Sequence, residues 1–188
     1  MMASKGQNWT AAHARENAAV EMEYSDRLND LRQERAEKIR ACQAKIKESK
    51  RRCDADIASL KLDIEKRRLL VLHNIDTLKD QRTLLRQRMH DNAPEADNDF
   101  NQGELMRLTA DIDANRHRLL ELDEERQLRT AQCKTIHENT RETMANHMAT
   151  LNQNYREKAR ALREELMATY QVNREKAEQE RQEGGDAV

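Results

Sequence analysis

The sequence predicts an all-α chain: a long antiparallel two-helix coiled-coil hairpin, a rod with no globular domain. Composition is the first reason, because 37% of residues are charged and 3% aromatic, and glycine and proline together number five in 188. Layered globular domains need more apolar and turn-forming residues than that. Periodicity is the second, since apolar residues recur every three or four positions through most of the chain, and this pattern also argues against disorder. The third is a reversed match between the halves. Met89 pairs with Leu105, Leu85 with Leu108, Ile75 with Leu119, Val71 with Leu122, Leu60 with Cys133 and Ile57 with Ile136. The match continues as Ile46 with Met148, Cys42 with Leu151, Ile39 with Tyr155, Leu31 with Leu162, Leu28 with Leu166 and Tyr24 with Tyr170. Two helices folding back about a point near Asp97 produce this order.

The expected organisation is a flexible N-terminus over 1–7, a first helix over 8–91, an acidic turn over 92–100, a second helix over 101–183 and a flexible tail over 184–188. Inward positions of the first helix run Leu28, Leu31, Arg35, Ile39, Cys42, Ile46, Ser49, Cys53, Ile57, Leu60, Ile64, Arg67, Val71, Ile75, Leu78, Arg82, Leu85 and Met89. Their steps mix an eleven-residue repeat with heptads, which predicts little net supercoiling.

Pro94 disfavours helical geometry in the residue before it and so ends the first helix. Asn101 and Glu104 then have the spacing of a capping box, with Phe100 and Leu105 placed for a hydrophobic staple. In the second helix Leu105, Leu108, Ile112, Leu119, Leu122, Cys133 and Ile136 keep a heptad. A four-residue shift near Thr140 to Met144 resets the seam to Met148, Leu151, Tyr155, Leu162 and Leu166, as a stutter does. Gly184 and Gly185 mark the stop.

The 34 basic and 35 acidic residues nearly cancel and are interleaved, so no net field draws the chain to nucleic acid or an anionic membrane. No apolar run is long enough for a membrane span or a signal-peptide core, so a cytosolic location is expected. In the expected register Cys42, Cys53 and Cys133 face Leu151, Thr140 and Leu60, which reads as three reduced seam residues.

Metal motifs are incomplete. Asp97, Asp99 and Asn101 have calcium-loop spacing, but Gly103 falls one place late and Leu108 occupies the bidentate glutamate position. Cys133 and His137 are four apart, yet no second zinc-ligating pair lies near them. The clusters Lys45, Lys47, Lys50, Arg51, Arg52 and Lys66, Arg67, Arg68 lack the pattern of a basic-zipper DNA helix and read as a solvated face. There is no phosphate loop, zinc-protease motif or nucleophilic triad, and a two-helix seam offers no concave pocket. Neither an enzyme nor a cofactor is expected.

Partner proteins are expected at two places. Leu62, Leu69, Leu72, Leu84, Leu120 and Leu128 lie off the seam and widen the apolar stripe, inviting a further protein or a second copy of the chain. Trp9 and Ala12, with Tyr24 further along, form an aromatic and small-residue start to the first helix that faces Glu175 to Glu183. In architecture, though in no residue motif, such a hairpin resembles the stalk proteins of flagellar and type III export systems and the rods of microtubules and cilia. The resemblance implies a structural protein docking into a larger cytosolic assembly, cytoskeletal or ciliary. The alternatives are an export-apparatus stalk or chaperone, and a nucleic-acid adaptor using the basic clusters.

Overall fold

The computed structural model describes the backbone of residues 4–91 and 98–185, and side chains over 13–91 and 99–183. Two helices account for all of it: α1, Ser4–Asp91, and α2, Asn98–Gly185, each 88 residues long. They pack against each other as an antiparallel hairpin, and there is no strand among the described residues. Both helices are rich in Ala, Leu, Glu, Gln, Lys and Arg, the residues that lose least on entering a helix. Arg88 and His90 in the last turn of α1 and Asp99 in the first turn of α2 complement the helix dipoles. Threonines inside the helices satisfy their hydroxyls locally, as when Thr109 donates to the Leu105 carbonyl at 2.8 Å.

Helix limits differ from the sequence reading at both ends. α1 starts at Ser4 rather than residue 8, and α2 reaches Gly185 rather than 183. α2 begins at Asn98, so Asn101 is inside the helix and is not its N-cap. Phe100 is 77% exposed and closes no staple. Nothing between residues 98 and 101 breaks a helix, and Asp99 suits a first turn at least as well, so α2 extends upstream. The expectations placed on Pro94 and Asp97 lie outside the described residues.

The chain divides into two compact units, Met1–Ile46 with Arg141–Val188, and Lys47–Thr140. The second unit holds most of the core. Leu60, Ile64, Val71, Ile75, Ile112 and Leu122 are buried together, with Leu78 and Leu119 packed against them, and Cys53 and Leu108 are also buried. Ion pairs flank this core, Arg67 to Glu125 at 2.9 Å and Arg68 to Asp123 at 3.7 Å.

In the first unit only Cys42 and Leu162 are buried among the described apolar residues, and the seam is completed by polar layers. Asn17 and Asn173 bond at 2.9 Å, and the Arg35 guanidinium lies 4.7 Å from the centre of the Tyr155 ring. The Tyr170 hydroxyl donates to Glu21, and Arg27 pairs with Glu165 at 2.9 Å. Leu28, Ile39, Ile46, Leu151, Tyr155 and Leu166 are half-buried along the same seam.

The inward positions of α1 follow the expected 3–4 spacing with one exception. Arg67 is not inward; it reaches round the seam edge to Glu125. The axial register, however, is displaced by whole turns, about one in the first unit and about two in the second, where Ser49 meets His137 in place of the expected Met144. Tyr155 meets Arg35, where Ile39 was expected, and Tyr170 meets Glu21, where Tyr24 was expected. A one-turn slip leaves apolar residues facing apolar residues, so the apolar pattern cannot detect it; the Asn–Asn, Arg–Tyr and Tyr–Glu pairs can.

Candidate interaction surface

Ile136 does not join the seam. It is 65% exposed, and its place is taken by half-buried His137, whose Nδ1 lies 3.3 Å from Ser49 Oγ. The heptad from Cys133 would advance by three; the seam advances by four, through His137 to Thr140, Met144 and Met148, all half-buried. The stutter thus begins earlier than expected, because polar His137 is accepted inward while its partner Ser49 leaves room for the ring. Of the remaining expected seam residues in this unit, Ile57, Leu85, Leu105, Leu119 and Cys133 are half-buried.

Exposed large apolar side chains are unevenly distributed. Among the described residues, the second unit carries Leu62, Leu69, Leu70, Leu72, Leu84, Phe100, Met106, Leu120, Leu128 and Ile136, while the first carries only Met22, Met167 and Val172. Leu62 and Leu69 are a heptad apart, which places them on one stripe of α1. Leu62 falls midway between buried Leu60 and Ile64, which puts it about half a turn from the seam, where α2 cannot cover it. Leu72 is nearer the seam and at 37% is the most covered of the set.

The two ends of the expected docking surface therefore fare differently. Leu62, Leu69, Leu72 and Leu120 are presented to solvent, but Tyr24 is half-buried in a groove with Val20, Leu162 and Leu166, committed to the intrachain seam. Trp9 and Ala12 belong to α1, and their side chains lie outside those described.

Four of the eight residues in the basic clusters, Arg51, Arg52, Arg67 and Arg68, pair with carboxylates. Arg51 and Arg52 both bind Glu48 at 2.9 Å, and these bonds, with Arg51 first, hold the Glu48 carboxyl down to about 2. Arg67 engages Asp63 as well as Glu125, and its hydrogen bond keeps Glu125 below the usual carboxylate range. Sequence reading missed these cross-helix pairs. Their signal is a polar residue at seam spacing on both helices, as with Asn17 and Asn173, or oppositely charged residues flanking the seam at matching heights.

Cys42, Cys53 and Cys133 are free, and no group of three or more His, Cys, Asp or Glu side chains among the described residues could hold a metal ion. No helix among the described residues is long and apolar enough to cross a membrane. No family model, curated protein or solved structure matches the chain.

Proposed function

We propose that this is a non-enzymatic coiled-coil structural protein that docks into a larger cytosolic assembly through the exposed leucines of its second unit. The observation that carries the reading is the concentration there of large aliphatic side chains facing water on both helices. Solvated faces of a two-helix coil are ordinarily charged; aliphatic side chains repeated outside the seam favour a further protein surface. The pairing of Arg51, Arg52, Arg67 and Arg68 with carboxylates weighs against nucleic acid as the partner, since each phosphate contact would first cost an ion pair. A cytoskeletal or ciliary assembly is the setting suggested by the architecture.

A Leu62→Gln, Leu69→Gln, Leu120→Gln triple variant tests this. These side chains are 57–67% exposed, so each substitution should move the melting of the isolated protein by no more than about 0.5 kcal/mol. Co-fractionation with the native assembly should be lost. Unchanged co-fractionation would overturn the docking surface, and failure of the unsubstituted protein to pellet with microtubules or isolated axonemes would remove the cytoskeletal setting.

A further inference from the structure

The contact between Ser49 Oγ and His137 Nδ1 at 3.3 Å fixes the heights of α1 and α2 relative to each other within the second unit. Cys53 lies one turn further along α1 and Cys133 one turn earlier along α2. Because the helices are antiparallel, both steps move about 6 Å in the same direction. Cys53 and Cys133 therefore stand level in the next turn of the seam. Burial first, then the nearby Cys133, pushes the Cys53 thiol up. Cys53 is buried and Cys133 half-buried, whereas Cys42 belongs to the other unit. The expected register had set Cys53 against Thr140 and Cys133 against Leu60, so the juxtaposition exists only because the register is displaced.

We propose that Cys53 and Cys133 form a reversible cross-helix disulfide on exposure to a hydroperoxide, fastening α1 to α2 at this level. Cys133, the more exposed thiol, reacts first. Its thiolate attacks one oxygen of hydrogen peroxide, the O–O bond breaks, and the departing hydroxide takes a proton to leave as water, giving a sulfenic acid. The Cys53 sulfur then attacks the Cys133 sulfur. The S–S bond forms, the S–O bond breaks, and the hydroxide carries away the Cys53 proton as a second water. Two thiols lose two electrons and one peroxide becomes two waters. A dithiol reverses the step by exchange. Burial keeps Cys53 protonated and away from the peroxide, so it is the second thiol to react and not the first.

The test uses the full chain, reduced, exposed to hydrogen peroxide, alkylated and digested without reductant. The expected result is a peptide pair joining Cys53 to Cys133 within one chain, with loss of two hydrogens, a raised melting temperature and return of both on adding dithiothreitol. The Cys42→Ser variant should behave identically, and Cys53→Ser should leave a Cys133 sulfenic acid that dimedone traps. Mapping in the unsubstituted chain keeps the test valid even if a variant folds poorly. Accumulation of sulfenic or sulfinic Cys133 in the unsubstituted chain without the link, a link through Cys42, or a link between chains would each overturn the proposal.

Discussion

Ile112 and Ile136 lie on the same helix and invite the same substitution, but only one of them is inside. Ile112 is the one fully buried large side chain among the described residues, at 0% exposure against Leu60, Ile64, Val71, Ile75 and Leu122; Ile136 is 65% exposed. Ile112→Ala removes three buried carbon groups, about 2.4 kcal/mol at roughly 0.8 kcal/mol each. The space left adds a cavity cost of about 24 cal/mol per Å³ wherever the helices do not close over it. Alanine's better helix propensity returns about 0.4 kcal/mol. A two-helix seam relaxes more readily than an enclosed core, so the net loss should be about 3 kcal/mol. Ile136→Ala loses little burial and keeps the propensity gain, so it should be close to neutral. Urea unfolding followed by circular dichroism at 222 nm reads both. Equal losses, or a larger one at Ile136, would mean that α2 faces its partner with the heptad continuation and not with His137.

Gly103 sits inside α2, and a Cβ built there meets nothing within 4 Å. Gly103→Ala should therefore stabilise the protein by about 0.5–1 kcal/mol, measured by the same unfolding curves. The hydrogen bond that Tyr170 donates to Glu21 holds its phenol up to about 12, above the ordinary tyrosine value near 10. The folded state thus keeps this proton longer than the unfolded state does; the stabilisation is present below pH ~10 and is lost as pH rises towards about 12. An absorbance titration at 295 nm should show the late component, and Glu21→Gln should bring it back towards 10; a component insensitive to that change would refute the bond. Amide hydrogen exchange should be faster over Met1–Ile46 and Arg141–Val188 than over Lys47–Thr140, because eight of the ten buried apolar residues among those described lie in the second unit. Protection that is equal across both would mean that the polar layers hold their unit as firmly as apolar burial does.

The polar layers give the first unit a different basis from the second. An Asn–Asn pair in a seam contributes less than two leucines would, but it penalises any slip that leaves one amide facing a hydrocarbon. Asn17 with Asn173, Arg35 with Tyr155 and Glu21 with Tyr170 each have that effect, at three heights. Arg27 with Glu165 adds an ion pair at the edge. The second unit relies on its aliphatic cluster, with Arg67 and Arg68 closing its sides.

What the sequence determined by itself is everything that depends on one helix at a time. The scarcity of glycine and proline makes both helices continuous, and the 3–4 spacing fixes which side of each one turns inward; Leu60, Ile64, Val71, Ile75, Leu108, Ile112, Leu122 and Leu162 could be picked out this way and are buried. Leu62 and Leu69 were legible for the same reason, since a residue midway between two inward positions must face away. The tertiary structure alone decided the register. Sliding one helix by a turn preserves its inward face, so periodicity is blind to the slip, and only pairwise complementarity of the polar residues removes the ambiguity. Two results belong to the pairing: Cys53 stands level with Cys133, and His137 is accepted inward in place of Ile136 because Ser49 lies opposite it. Each depends on which residue lies across the seam, a property of two helices that neither carries in its own pattern.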